Sequence, residues 1–563
     1  MTLLKALERV AKRTSGHGVR LLSGDSGTVE RVGFDQLHAQ ALKVAGGLLE
    51  RGVARGERVA IALPSSVDFL RAFFGVLAAG AVPVPMPPPF RFAALEIHMR
   101  RISLAMRRSG VEKILTNESF GELLGPAIGS AGGEFSIHVV GSLLESTPAF
   151  ADVAANEPAL VQYTSGTSGS PKGVVLTHEN LLANVSAITE ALQITEADVV
   201  GAWLPLFHDM GLVGACLCSI LNDAELCLLP PEDFLRDPTR WVRMISEHRV
   251  SITMAPNSGY LHTLRRTPAE AVPDFDLSSW RLALNGAEAV DAEVMRKFTE
   301  HFAPAEFSRT AFLPVYGLAE AALGVAFPPI DRPVRTTWVR RDLLGEGIAA
   351  TTSEGAQLAR EIASVGGPLS GLEVRIVDEG GSELRDEARV GELQVRGSSV
   401  TRGYEADEQA TRTAVAAGAW AHTGDLAFRL DDEWYIVGRK KETIIVFGQN
   451  YHASDIESVA GRVPGIAIHG VLAVGVPTPE GERLGLLVET REKDPAARGD
   501  LRGQLRYAVS AALGITPSEV VFVDKGRLPR TSSGKLQRHG IQELYEECAQ
   551  EAAASLQPGE KMF

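Results

Sequence analysis

The chain is 563 residues long, 45% hydrophobic and 22% charged, with a formal net charge of −14. That length exceeds what one hydrophobic core usually organises, so at least two domains are expected, with the composition of an ordinary globular protein. The acidic balance argues against nucleic acid or an anionic membrane surface as the main partner.

The N-terminal segment carries Leu3, Leu4, Leu7 and Val10 at the spacing of an amphipathic helix, interrupted by charges unlike a signal-peptide core. No apolar run approaches membrane-spanning length, so a cytoplasmic protein without stable membrane insertion is expected. Cys216, Cys218, Cys227 and Cys548 are few for so long a chain, which fits a reducing compartment. Cys216 and Cys218 lack zinc-site spacing, so all four read as small buried hydrophobes. As far as about Ile330, short β-branched runs alternate with helical patterns. Arg58 to Ala62 precedes a helix from about Ser66, and Ser251 to Met254 follows a helix from about Arg240 to Glu247. Such alternation argues for α/β layers with largely parallel sheets. The proline-rich run from Pro83 to Pro89 must be extended and interrupts the pattern.

The segment Thr164 to Gly173, T-S-G-T-S-G-S-P-K-G, lies between an apolar stretch (Ala159 to Val161) and a helical one from about Asn180. Glycines permit positive φ and close approach, successive N–H groups can form an anion nest, and hydroxyls and an ammonium add donors. Such a loop suits phosphate oxygens, though its spacing is not that of a Walker loop. A flexible Gly/Ser turn is the competing reading.

From Pro328 to Pro368 the chain turns polar and irregular, with a short helix expected near Ser353 to Ile362. Gly345 to Ala350 loosely matches a dinucleotide fingerprint, but the preceding V-R-R-D-L-L is charged and helix-like instead of a strand. Leu372 to Val377 and Val390 to Val395 read as a hairpin, and Asp431 to Glu442 as a domain boundary. The remainder suffices for one small α+β domain with a frayed tail.

Further motifs follow the loop in order: W-L-P-L-F-H-D-M-G-L (Trp203 to Leu212), N-G-A-E (Asn285 to Glu288), Y-G-L-A-E (Tyr316 to Glu320), H-T-G-D (His422 to Asp425), G-R-K-K-E (Gly438 to Glu442) and L-P-R-T-S-S-G-K (Leu528 to Lys535). Jointly they resemble the adenylate-forming superfamily of acyl-CoA synthetases, peptide-synthetase adenylation domains and luciferases. P-x-P-P-P near Pro85, L-F-H-D-M-G-L, Y-G-L-A-E-A-A and V-F-G-Q-N-Y-H are most similar to the fatty acyl-AMP ligase branch.

The resemblance implies attack of a carboxylate on the α-phosphate of ATP, then acyl transfer to the phosphopantetheine of a separate acyl carrier protein or polyketide/peptide synthase. It assigns the β- and γ-phosphates to Thr164, Ser165, Gly166, Thr167, Ser168, Gly169 and Lys172, and Mg²⁺ to Glu320. Tyr316, with Gly317 and Leu318, belongs to the adenine site together with Gly286, Ala287 and Glu288 along the base edge. Asp425 and Arg439 are expected at the ribose, His208 as a gate between ATP and acyl sites, and Lys535 as the catalytic lysine. Lys441 matches the hinge. The implied layout is an N-terminal domain over 1–436 with an insertion at about 331–365, a hinge at 437–441 and a mobile C-terminal lid over 442–563. Ser168 and Ala319 stand where many relatives have threonine, and Phe447 where CoA ligases usually have glycine. A phenylalanine there would crowd a pantetheine passage. The alternatives are a medium- or long-chain acyl-CoA synthetase and a catalytically silent nucleotide- or acyl-binding module.

Overall fold

Strands separated by helices pair in parallel, because each crossover returns the chain to the same end of the sheet. The computed structural model, which describes residues 1–23, 27–88, 110–122, 124, 135–164, 172–416, 420–446, 449–478, 481–530 and 536–554, contains two such sheets. The first has seven strands in the order Phe312–Pro314, Leu282–Asn285, Ile252–Ala255, Val199–Ala202, Glu225–Leu228, Gly18–Leu22 and Thr28–Gly33. Only its last pair is antiparallel. The second orders Val82–Pro85, Arg58–Ile61, Lys113–Thr116 and Ser136–Val139, all parallel. Pro83 and Pro85 therefore belong to the α/β pattern that the proline run was expected to interrupt. They sit on an edge strand, where a missing N–H is tolerated.

Helices cover these sheets. Leu3, Ala6, Leu7 and Val10 of the helix Leu3–Ala11 are buried, as the amphipathic spacing predicts, while Leu4 stays partly exposed. Val67–Ala78 is capped by Ser66, whose Oγ accepts from Phe69 N at 3.4 Å. A Cβ on Gly75 would lie 2.4 Å from Val44 Cγ1, so glycine lets this helix close on Phe34–Glu50. All four cysteines are buried and unpaired.

Next comes an antiparallel layer of Leu372–Val377, Gly391–Gly397, Trp420–Leu430 and Glu433–Arg439. The stretch expected to be irregular forms an antiparallel pair, Thr336–Arg340 with Ala359–Ala363. Its helix is Arg341–Leu344, so a helix near Ser353 to Ile362 is incorrect. Burial explains the difference: Val339 and Ile362 join a small core with Phe428, Tyr435 and Val437, which favours paired strands over an isolated polar helix.

A separate core begins at Ile444 and includes Ile456, Leu486, Leu505 and Val520. Its sheet contains Thr443–Val446, Gln449–His452, Val471–Thr478, Gly481–Thr490 and Glu519–Asp524. Ala453–Gly461, Pro495–Leu513 and Ile541–Ala554 are its helices. Asp455 of this lobe pairs with Arg341 at 2.8 Å and Arg360 at 3.0 Å, and Arg462 pairs with Asp291 at 2.7 Å. The architecture is thus mixed α/β, a large parallel-sheet body with a smaller strand-rich C-terminal lobe. Among the described residues no helix is long and apolar enough to cross a membrane.

Candidate active site

In open α/β sheets, ligands gather beyond the carboxyl ends of parallel strands. Two predicted motifs lie there on neighbouring strands. Leu282–Asn285 runs into Gly286, Ala287 and Glu288, and Phe312–Pro314 runs into Tyr316, Gly317 and Leu318. The two exits touch: Val315 N donates to Asn285 O at 2.8 Å. A Cβ on Gly286 would come within 2.8 Å of Val315 O, so glycine permits the contact. Ala287 has φ +65°, a conformation that costs a non-glycine residue energy and that gathers at functional sites. Glu288 Oε2 accepts from Ser258 N at 2.9 Å and its Oε1 lies 3.3 Å from His469 Nε2.

Tyr316 is buried, and its hydroxyl donates to Asp425 Oδ2 at 2.6 Å. Asp425 Oδ1 faces Arg439 Nε at 3.2 Å across the Trp420–Leu430/Glu433–Arg439 register. The Thr-Gly turn aims the carboxylate. Gly424 has φ +73°, and Thr423 Oγ1 accepts from Asp425 N at 3.0 Å. Burial raises the Asp425 carboxyl above the usual carboxylate range, with Arg439 opposing it. A carboxylate offers about four lone-pair sites, so these two contacts leave capacity for two hydroxyls.

Thr164 and Lys172 are register partners at the open end of the hairpin Pro158–Thr164/Lys172–Thr177. The predicted loop therefore leads into a second strand before the helix His178–Leu192 begins. Lys172 Nζ sits over the Tyr404 ring, 4.9 Å from its centroid, and the Tyr404 hydroxyl donates to Glu320 Oε1 at 2.8 Å. Glu320 lies on the short turn Ala319–Ala321, whose position is set in part by Thr401 N donating to Glu320 O at 2.7 Å. Glu320 follows Tyr316 by four residues, so the acidic turn and the Tyr316–Asp425 contact share one short stretch of chain.

His208 is half-buried, with its ring 5.2 Å from that of Phe207. Gln162 Nε2 donates to Phe207 O at 2.8 Å, which ties this segment to the hairpin Pro158–Thr164/Lys172–Thr177. A π-helix, Met210–Leu217, follows; such segments often mark functional sites. Lys441 is exposed in the short turn Lys440–Glu442.

The described residues thus join Lys172 to Glu320 through Tyr404, and Tyr316 to Asp425 and Arg439. Ser165, Gly166, Thr167, Ser168, Gly169, Phe447 and Lys535 lie outside the described residues. The sequence reading missed Tyr404 and His469. The only signal for Tyr404 was T-R-G-Y (Thr401 to Tyr404), a glycine-tyrosine step after a strand.

Residues 7–405 match the family described as AMP-binding enzyme. The chain belongs to that family. A Caulobacter vibrioides protein provisionally named an acyl-CoA synthetase is 33% identical over 97% of this chain and 95% of its own. A medium-chain-fatty-acid–[acyl-carrier-protein] ligase of Moorena producens is 33% identical over 91% of this chain and 89% of its own. A structure from a study of fatty acyl-adenylate ligases of E. coli and L. pneumophila aligns with TM-score 0.91 and 30% identity, covering 98% of this chain and 99% of that one. The AMP-binding fold, the ordered motifs and these relatives make the chain an adenylate-forming ligase of the fatty acyl-AMP ligase branch.

Proposed function

We propose that the protein activates a fatty acid with ATP and passes the acyl group to the phosphopantetheine of a separate carrier protein or synthase. In the first step a carboxylate oxygen attacks the α-phosphorus, the bond to the β-phosphate oxygen breaks, and pyrophosphate leaves. Two anions must meet, so the protein's task is alignment and charge neutralisation. The linkage of Lys172 to Glu320 through Tyr404, together with the cluster of Tyr316, Asp425 and Arg439, whose Tyr316 lies four residues before Glu320 in the chain, is the observation that carries this reading.

Each residue then has a task. Thr164, Ser165, Gly166, Thr167, Ser168, Gly169 and Lys172 bind the β- and γ-phosphates. Tyr316, with Gly317 and Leu318 beside it, faces adenine, and Gly286, Ala287 and Glu288 follow the base edge. Asp425 accepts the ribose hydroxyls with Arg439 beside it. His208 separates the nucleotide from the acyl chain. Lys535 bridges the attacking carboxylate and the α-phosphate oxygen. Among the described residues no group of three or more His, Cys, Asp or Glu could hold a metal ion alone. Glu320, with Oε1 engaged by Tyr404, fits an ion that arrives on the nucleotide, since magnesium pairs one or two carboxylates with phosphate oxygens. Magnesium held by Glu320 and the phosphates would neutralise charge on the triphosphate.

For the second step we place a hinge over 437–441, with Lys441 as the hinge residue, between an N-terminal domain (1–436) and a lid (442–563). The insertion at 331–365 grips the lid: Arg341 and Arg360 both reach Asp455, and Asn450 Nδ2 donates to Gly345 O at 3.0 Å. That grip opposes free rotation of the lid, and the acyl-carrier-protein acceptor of the Moorena relative favours a carrier-borne thiol over free CoA. The Caulobacter relative's name favours the rival acceptor, CoA. Incubation with ATP, Mg²⁺, dodecanoate and either CoA or a phosphopantetheinylated carrier, with products read by mass spectrometry, separates the two. Acyl-AMP and acyl-carrier with little acyl-CoA is expected; rapid acyl-CoA turnover would overturn the carrier assignment.

A further inference from the structure

We propose that Tyr404 is a positioning residue that holds Lys172 and Glu320 in register, so that the phosphate-binding lysine and the acidic residue opposite it act as one unit. The inference rests on the reading of those two residues given above and adds a third, whose contacts are made by two different parts of one side chain. The Tyr404 ring carries the Lys172 ammonium, 4.9 Å from its centroid, and the hydroxyl donates to Glu320 Oε1 at 2.8 Å. A cation over an aromatic face is attracted by the ring quadrupole, and a hydrogen bond to an ionised carboxylate is stronger than one between neutral groups. One rigid ring thus fixes both partners.

The backbone around Tyr404 is built for this. Tyr404 bridges Val174 in antiparallel fashion, Val175 N donates to Gly403 O at 3.2 Å, and Glu405 N donates to Gly173 O at 2.7 Å. The segment from Thr401 to Glu405 is thereby strapped to the strand that Lys172 opens. Its other end holds the Glu320 turn, since Thr401 N donates to Glu320 O at 2.7 Å and Thr401 Oγ1 donates to Val175 O at 2.6 Å. Arg58 clamps the strap from outside, its Nε and Nη2 donating to the two Glu405 carboxylate oxygens at 2.9 and 3.1 Å. The Tyr404 hydroxyl is the donor in this pair, since an ionised carboxylate only accepts. Its bond occupies one Glu320 oxygen, orients the carboxylate and leaves Oε2 for another ligand.

Two substitutions divide the two functions. Tyr404→Phe keeps the ring under Lys172 and removes only the donor to Glu320; Tyr404→Leu removes both. ATP binding to the full-length protein without fatty acid is measured by calorimetry, once with EDTA and once with excess Mg²⁺. Melting temperatures are recorded for each variant. In EDTA, Tyr404→Phe should bind ATP like the parent, whereas Tyr404→Leu should bind it about 3- to 10-fold more weakly, the loss of one cation–π contact. In Mg²⁺, Tyr404→Phe should lose about 10-fold of the affinity that the ion adds for the parent. A merely structural tyrosine would not move the Mg²⁺-dependent increment separately. The proposal is overturned if Tyr404→Phe matches the parent in both buffers, or if it loses the same factor in both. Should Tyr404→Leu fail to fold, Tyr404→Phe alone decides. Lys172→Ala and Glu320→Gln are run alongside. Normal ATP binding by both overturns the site reading and this inference with it. Weakened binding by both with an unaffected Tyr404→Phe overturns the inference alone.

Discussion

His469 Nε2 lies 3.3 Å from Glu288 Oε1, so a side chain of the C-terminal lobe touches the loop that leaves the strand Leu282–Asn285. The same histidine has φ +52°, and its carbonyl accepts from Arg530 Nη2 at 2.9 Å. Arg530 in turn reaches Glu489 Oε2 at 2.9 Å. Arg530, five residues before Lys535 in the chain, is therefore anchored to the histidine that meets the Gly286–Glu288 loop. His469→Ala should lower the rate of pyrophosphate release about 10-fold, a loss of ~1.4 kcal/mol of transition-state alignment, with ATP affinity within twofold of the parent. Stopped-flow pyrophosphate detection and ATP titration check the split; an unchanged rate refutes the alignment role.

If Lys535 has the role proposed for it, Lys535→Ala should reduce adenylate formation at least ~100-fold while leaving ATP binding largely intact, since a charge partner needed mainly in the transition state is lost. Near-normal pyrophosphate release would contradict the assignment of Lys535.

Asp425 carries its own pH signature. Its carboxyl is raised by burial, so on acidification it takes up a proton at a pH above the ordinary carboxylate range. Protonation removes acceptor capacity, so the KM for ATP should rise as pH falls through that raised value. Asp425→Asn should raise the KM about 10-fold at neutral pH and flatten this dependence. A steep acid limb that persists in the Asn variant would assign the titration elsewhere.

His178 ties down the N-terminus. Its Nδ1 accepts from Leu3 N at 3.2 Å, and burial lowers its pKa from 6.5 to about 4. The unfolded chain takes up the proton first as pH falls, so the contribution is fully present above 6.5 and is lost progressively towards about 4. The loss amounts to on the order of 3 kcal/mol, read as a falling denaturation midpoint between neutral pH and the acid end. His178→Asn, which can keep an acceptor there without charging, should show a shallower slope. A parent slope equal to that of the variant would exclude His178 as its source.

Asp455→Ala leaves Arg341 and Arg360 buried without their carboxylate, which should cost about 3–5 kcal/mol of stability. If the grip opposes lid rotation, the acyl-CoA formed per acyl-AMP should also rise in protein that remains folded. Urea titration and product ratios measure the two effects; stability loss without a change in product ratio would separate the grip from acceptor choice.

The α/β class, the family and the motif strings are legible in the amino-acid order alone, because those signals are local. Alternating β-branched and helical runs announce parallel layers, and the strings from Thr164 onward are contiguous. The sequence reading missed the strand Lys172–Thr177, of which Lys172 and Gly173 read as loop and the next four residues, before a helix from about Asn180, carry no assignment. It also expected a helix where Ala359–Ala363 pairs, since only contact with Phe428 and Tyr435 gives Ile362 a side to bury. Which distant residues meet is settled by folding. Glu320 and Tyr404 are 84 residues apart and Tyr316 and Asp425 are 109 apart, yet each pair shares a hydrogen bond. No period or spacing encodes such a contact. It arises when sheet closure brings strand ends together and buried polar groups must find partners, and that constraint exists only once the chain has folded.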